Sequence, residues 1–482
     1  MSSKTNDYDV IVIGAGPAGY VAATRAVQLG LKTACIDNWP HEKTSSCLGG
    51  NYVNGGCISA VALLESAKLY EKLHHGIADH GISASNIQAD IPKMQQRKDS
   101  IVSSLNEQIE QIFLENKVEA ISAHAQLINP NRVEITPVGG GIPQVISSDK
   151  IILAAGSNSM ELSFATIDNE YIISPQDALN LKEVPVTLGI IGAGAIGIEL
   201  GCIWNKLGAK IQILEAQESF LTMADQDISA EALKLYKQQG LDIRLGSRVI
   251  STHVEDQKVH IEYEDQQGRH QCVFDKLVVA SGRKPNSESL IAPSADLLLD
   301  EEGFVHVDEN CCSTLPGVYA IGDLTLSGPM LAHKGIEEGI FVAEHIVGQH
   351  SPINYNTIPN IIYTDPEIAW VGQTEKALRA IGESIKISTF YFNSTSRAQI
   401  MNSHEGMVKM IIQAESEIIL GVHIIGHLAS ELIAEAVLAM EFSATAEDLA
   451  RTIHAHPTLA EAIHESALAL SARSLHKTPV KS

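Results

Sequence analysis

The sequence predicts an α/β chain built around two Rossmann-like units, and two observations carry that prediction. The first is a glycine fingerprint that occurs twice. Each copy lies between an apolar strand and a helical pattern, with an acidic residue 23 positions after its first glycine. The second is size. A chain of 482 residues exceeds what one hydrophobic core holds, so two to four domains are expected.

The elements follow in order. "YDVIVIGAGPAGYVAATRAVQLGLKTACID" runs from Tyr8 to Asp37. Tyr8 to Ile13 reads as an apolar strand. Gly14, Gly16 and Gly19 follow at GxGxxG spacing, for a tight turn, close backbone approach to a pyrophosphate, and close helix–strand packing. Ala22, Ala23, Ala26 and Leu29 suit a helix on a sheet, with its N-terminal N–H groups and positive dipole end turned to phosphate. Lys32 to Ile36 reads as the next strand, and Asp37 at its end can accept from a ribose. "LGGNYVNGGCISAVALL", Leu48 to Leu64, then places two glycine pairs before Cys57, at the head of an apolar helical pattern. The unit returns in "VTLGIIGAGAIGIELGCIWNKLGAKIQILEA", with Gly192, Gly194, Gly197 and the acid Glu215. Three further strands, in "KIILAAGS", "KLVVASGRKPN" and "GVYAIGDL", end at glycine, where a chain crosses from sheet to ligand. Two dinucleotide sites in one chain suggest one bound flavin and one exchanging nicotinamide. Near the C-terminus, "HAHPTLAEA" holds His454, His456 and Glu461. Pro457 suits a first helical turn, so a helix is expected to start there and carry Glu461. A glutamate near a histidine nitrogen stabilises the imidazolium and fixes its tautomer, as a general base for a thiol needs.

Composition excludes other classes. Apolar content is 45%, no run of eighteen apolar residues exists, and no membrane span is expected. The N-terminus lacks a basic region followed by an apolar one, so it does not read as a signal peptide. A net charge of −24 argues against nucleic acid. The seven cysteines, Cys35, Cys47, Cys57, Cys202, Cys272, Cys311 and Cys312, form no CxxC pair. No metal site is therefore expected, and a reducing, cytoplasmic compartment is.

Over nearly its whole length the chain resembles the flavoprotein disulfide reductases, and within them the dihydrolipoyl dehydrogenases. The two fingerprints, "GVYAIGD", "GPMLAHKGIEEG", "PNIIYTDPEIAWVG", "GVHIIG", "ASELIAEAV" and "EDLARTIHAHPTLAEA" carry the resemblance. It implies an FAD-binding domain (1–155), an NAD-binding domain (156–285), a central domain completing the FAD site (286–352) and a C-terminal α+β dimerisation domain (353–482). It gives FAD to the first fingerprint and NAD to the second, and places Asp323 near the flavin ribityl and phosphates. Gly50, Gly156, Gly282 and Ala332 become further cofactor contacts. It makes Cys57, His456 and Glu461 catalytic, the histidine reaching the flavin site of the other subunit, so the active unit is a homodimer. It names a lipoyl-bearing acyltransferase of a 2-oxo acid dehydrogenase complex as partner. Glu215 favours NAD, because a carboxylate repels the 2′-phosphate of NADP.

The resemblance is imperfect at the opening stretch. The family reads Gly-Gly-Thr-Cys-Leu-Asn-x-Gly-Cys-Ile-Pro-Ser-Lys. Here Gly49, Gly50, Asn54, Gly56, Cys57 and Ile58 agree, Tyr52 stands at the first cysteine, and Val61 stands at the lysine. That lysine pairs in the family with the glutamate equivalent to Glu199, beside the flavin, so burial is expected to push Glu199 toward protonation. The expected reaction is dihydrolipoamide plus NAD to lipoamide plus NADH, impaired in disulfide exchange. The alternatives are a diaphorase or oxidase passing electrons from NADH to a dye, quinone or oxygen, and a non-enzymatic subunit of a 2-oxo acid dehydrogenase complex. Cys47 could bridge Cys57 only if their Cα atoms came within about 7 Å.

Overall fold

The computed structural model describes residues 6–38, 48–349 and 352–476. They form two compact units. The first contains residues up to Leu63 with Asp90–Met160 and Gly282–Tyr355; the second contains Leu64–Ala89, Glu161–Ser281 and the chain from Asn356 on. Cys47 lies outside the described residues.

In the first unit, Tyr8–Ile13 sits in the middle of a parallel sheet. It pairs with Thr33–Asp37 on one side (Val10 opposite Thr33) and Gln144–Leu153 on the other (Val10 opposite Lys150). Glu119–Asn129 and Val318–Ala320 extend the sheet outward. Farther along, Glu119–Asn129 and Gln144–Leu153 both pair antiparallel with Arg132–Pro137. The central strand is a continuous apolar run because both its faces are covered. Val10 and Val12 face one buried cluster, Ile11 and Ile13 another. The helix Pro17–Gln28 packs against the helix Ala332–Ile346. A methyl at Gly339 would lie 2.5 Å from the carbonyl oxygen of Ala18, so only glycine permits this approach.

The second unit holds three sheets. Thr187–Ile191 is central to a five-stranded parallel sheet, between Lys210–Leu214 and Lys276–Val279, with Asp242–Arg244 and Ile172–Ile173 at its edges. A three-stranded antiparallel meander (Arg248–Glu255, Lys258–Asp265, Gly268–Phe274) follows. A five-stranded antiparallel sheet runs Asn360–Ile362, Glu367–Gly372, Ile419–Gly426, Met407–Gln413, Ile385–Tyr391 in spatial order. Val408, Met410, Val422 and Ile424 on that sheet share a core with Ile433 and Ala436 of the helix Ala429–Glu441 and with Ile463 and Ala467 of the helix Glu461–Leu470. The side of Ala429–Glu441 away from this core leaves Leu438 and, just beyond the helix, Phe442 exposed. Among the described residues no helix is long and apolar enough to cross a membrane.

Candidate active site

Parallel pairing brings the carboxyl ends of Tyr8–Ile13, Thr33–Asp37, Gln144–Leu153 and Val318–Ala320 to one edge of the first sheet, where ligands bind in open α/β sheets. Gly14, Asp37, Gly156 and Asp323 follow or end those strands. Gly14 turns with φ +106°, and a methyl on it would lie 2.2 Å from the oxygen of Ala154. A methyl on Gly19 would lie 1.8 Å from the oxygen of Gly14. The middle glycine differs: a methyl on Gly16 would meet only Gly50 Cα, at 3.9 Å. The outer glycines are thus demanded by the protein's own packing, and the middle one keeps a space open at the helix N-terminus. This is the shape a pyrophosphate needs. Asp37 fixes the loop: its Oδ2 accepts from the N–H of Ala15 (2.6 Å) and its Oδ1 from that of Asn38 (2.7 Å). Burial nevertheless pushes its carboxyl above the ordinary value.

Residues not singled out in the sequence hold Asp323. The Ser157 hydroxyl donates to Asp323 Oδ2 (2.5 Å) and accepts from Arg283 Nε (2.8 Å), while Arg283 Nη2 donates to the carbonyl of Ser157 (2.5 Å). The neighbouring Gly322 is clamped from both sides. Its N–H donates to Glu338 Oε2 (2.6 Å), and its carbonyl accepts from Lys334 Nζ (3.0 Å). Lys334 and Glu338 are almost fully buried and paired at 3.3 Å, and the Tyr355 hydroxyl donates to Glu338 (2.9 Å). Ala332 opens the helix that carries both. The signal for this clamp lay within "GPMLAHKGIEEG", but helical spacing alone could not say that Lys334 points inward. Gly156 and Gly282 precede the short antiparallel pair Ser157–Ser159 and Arg283–Pro285.

The second fingerprint repeats the first. A methyl on Gly192 would lie 2.4 Å from the oxygen of Ala280, one on Gly197 would lie 2.0 Å from the oxygen of Gly192, and one on Gly194 would meet nothing within 4 Å. Glu215 Oε2 accepts from the N–H of Ala193 (2.8 Å), as Asp37 does from Ala15. The donor and shape test for a dinucleotide is met at both loops. On the helix Ala195–Lys206, Glu199 Oε1 accepts from the N–H of Tyr363 (2.8 Å), and desolvation pushes its carboxyl up to about 7 against that bond.

Cys57 is an exposed thiol at the start of the helix Cys57–His75. Tyr52, on the short helix Gly50–Asn54, is half-buried against the core of the first unit, and burial and the nearby Cys57 raise its hydroxyl's pKa. Val61 lies on the helix that Cys57 begins.

His456 and Glu461 do come together. His456 Nδ1 lies 2.8 Å from Glu461 Oε1, and Glu461 Oε2 accepts from the N–H of Thr458 (2.9 Å). Burial opposes ionisation of Glu461, but these two hydrogen bonds outweigh it and hold the carboxyl below its ordinary value. The expected helix start at Pro457 is corrected: the helix begins at Glu461. Leading into it, the N–H of Ala462 donates to the carbonyl of Leu459 (3.0 Å) and that of His464 to the carbonyl of Ala460 (3.3 Å), while Thr458 Oγ1 donates to the carbonyl of Ala455 (2.7 Å). With Nδ1–H directed at the carboxylate, Nε2 is the nitrogen left to take a proton. A second pair, His454 Nε2 with Glu435 Oε1 at 2.6 Å, lies beside it and was not foreseen as a pair.

The model for pyridine nucleotide-disulphide oxidoreductases matches residues 8–339, and that for their dimerisation domain matches residues 358–467. The chain is 42% identical to a dihydrolipoyl dehydrogenase of Cupriavidus necator, covering 98% of this chain and all of that one. It is 39% identical to the mitochondrial dihydrolipoyl dehydrogenase 1 of Arabidopsis thaliana, covering 98% of this chain and 92% of that one. Its fold matches the crystal structure of LpdA from Mycobacterium tuberculosis with a TM-score of 0.87 at 24% identity, over 96% of this chain and 99% of that one. With family models over residues 8–339 and 358–467 and a relative 42% identical over its whole length, the chain belongs to the pyridine nucleotide-disulphide oxidoreductase family.

Proposed function

We propose that this protein is an oxidoreductase of the dihydrolipoyl dehydrogenase type, acting as a homodimer on dihydrolipoamide and NAD and slow in disulfide exchange. The duplicated loop carries the reading: the same two-plus-one use of glycines, and the same acid-to-N–H lock, occur at Gly14–Asp37 and at Gly192–Glu215. Enzymes of this family use FAD and NAD(H), which when bound supply hydride exchange. The chain's own residues do the rest. The loops of Gly14, Gly16 and Gly19 and of Gly192, Gly194 and Gly197 present helix N-termini to the pyrophosphates. Asp37 and Glu215 hold those loops and offer their remaining lone pairs to ribose hydroxyls. Asp323, fixed by Ser157 and Arg283, is offered to the flavin's polyol and phosphate arm. Within each subunit Glu461 orients His456, whose Nε2 takes the proton of a substrate thiol at the flavin site of the other subunit. Exposed Leu438 and Phe442 supply apolar area for a dimer face.

Slow exchange follows from Tyr52. Dithiol oxidation proceeds through a mixed disulfide, which a phenol cannot form. A diaphorase reading, with a dye reduced by NADH, needs no interchange thiol and is favoured by the same residue. A cytoplasmic location is supported by the six cysteines that stand as thiols among the described residues. Docking to a lipoyl-bearing acyltransferase belongs to the same proposal.

Turnover of FAD-loaded protein with lipoamide, beside turnover with a dye, tests the reading. Dye reduction with lipoamide near background, and recovery of lipoamide turnover in Tyr52→Cys, is the expected result. Protein that stays colourless after incubation with FAD sinks the reading whole. High lipoamide turnover in the unmodified chain, abolished by Cys47→Ser, sinks the slow-exchange part alone.

A further inference from the structure

We propose that the meander of the second unit carries a surface site for a divalent transition-metal ion, Cu(II) or Zn(II), made by His253, Glu255 and His260. The strands Arg248–Glu255 and Lys258–Asp265 are joined by Asp256 and Gln257, both at positive φ (49° and 61°), in a two-residue connection that fixes the register. His253 and His260 are direct cross-strand partners. Glu255 is two residues from His253, so the alternation of the strand returns it to the same face. The imidazole rings are stacked, with centroids 5.0 Å apart and planes 16° apart. One ligand atom from each of the three side chains lies within 4.8 Å of the others, and His253 Nε2 is 3.7 Å from Glu255.

The charged neighbours on this face are engaged elsewhere. Lys258, opposite Glu255, pairs with Asp275 at 3.4 Å, which draws its charge away from the three ligands. Glu262, next on the strand after His260, pairs with Arg269 at 3.2 Å and is outside the donor set. Two imidazoles and a carboxylate suit Zn(II) or Cu(II), whereas Ca(II) and Mg(II) require oxygen. Ligands bound at about 2.0–2.1 Å stand roughly 3.3 Å apart in a tetrahedron, so closure needs only side-chain rotation. His253 and Glu255 are exposed and have that freedom. The bound ion ties the two strands of the hairpin together and leaves coordination positions open to solvent. The absence of CxxC pairs gave no hint of this site, because its ligands meet only through strand register.

The test uses the FAD-loaded dimer, its thiols alkylated with iodoacetamide so that cysteines do not compete. Cu(II) is titrated and followed by electron paramagnetic resonance; Zn(II) is titrated by calorimetry. The wild-type protein should bind an equivalent of Cu(II) with a two-nitrogen hyperfine pattern. His253→Gln/His260→Gln should lose that equivalent while keeping its flavin spectrum and circular dichroism. Glu255→Gln, which keeps both histidines and nearly the same shape, should weaken binding about tenfold. An unchanged stoichiometry and spectrum in the double variant overturns the proposal, as does a wild-type protein that binds neither ion.

Discussion

Replacing Lys409 with methionine should cost this protein a large share of its stability at neutral pH. Lys409 Nζ donates to Asp225 (2.8 Å), Asp227 (2.7 Å) and Glu375 (2.7 Å), joining the strand Met407–Gln413 to the N-terminus of the helix Gln226–Gln238. Lys409 and Asp225 are each about 1% exposed. At 2.8 Å and an effective dielectric near 20, their attraction is about 6 kcal/mol before desolvation is subtracted. Asp227 is 58% exposed and Glu375 28%, so solvent limits each to about 1 kcal/mol or less. Methionine fills the space and leaves Asp225 charged and buried, a defect that costs about 3–5 kcal/mol. The pH dependence has a definite sign. For Asp225, burial opposes ionisation but Lys409 and its neighbours prevail, so the folded carboxyl lies below its ordinary value. Glu375 is likewise lowered, chiefly by its hydrogen bond from Lys409. Their stabilisation is present above the ordinary carboxylate range and is lost as pH falls through the depressed values. The deficit of Lys409→Met should therefore be greatest near pH 7 and shrink on acidification, as the orphaned carboxyls take protons. Urea denaturation of the FAD-loaded protein at several pH values measures it. Asp225→Asn in the Lys409→Met background removes the orphaned charge and should recover part of the loss. A loss at pH 7 below about 1 kcal/mol, the value of a surface pair, would refute the reasoning; so would the absence of recovery.

Four further outcomes can be checked. Gly194→Ala should fold normally yet bind NAD at least about tenfold more weakly, because the added methyl meets only the space left for the ligand. Gly192→Ala should lower stability itself by roughly 1–3 kcal/mol, since its methyl meets the oxygen of Ala280 at 2.4 Å with φ at +103°; equal melting temperatures for the two variants would contradict this. Glu215→Ala should narrow the preference for NAD over NADP, read as the ratio of dissociation constants, and a ratio that stays put removes Glu215 from the ribose contact. Glu199→Gln should stabilise the apoprotein above pH 7 by up to about 3 kcal/mol, because a carboxyl raised to about 7 when folded is penalised once it must ionise. The advantage should vanish below the unfolded value, near pH 4.5, and a difference independent of pH would count against it.

Local order was legible in the chain. The strand Tyr8–Ile13 and the helix beginning at Cys57 lie where apolar patterning put them, and both fingerprints form turns their own packing demands. A glycine's role there is fixed by contacts within one strand–turn–helix unit, so a short window of sequence contains the cause. His456 and Glu461 were also within reach, five positions apart, but the helix start was misplaced. The i→i−4 ladder opens with the N–H of His464 on the carbonyl of Ala460, a turn later than a helix from Pro457 would open it. Contacts between distant segments were decided by tertiary structure alone. Arg283 reaches Ser157 across 126 positions, Lys409 reaches Asp225 across 184, and His253 faces His260 only because a two-residue turn sets the strand register. Composition and spacing state which groups can ionise, donate or ligate. Which of them are removed from water together, and so which must pair, is set when sheets and helices close over them.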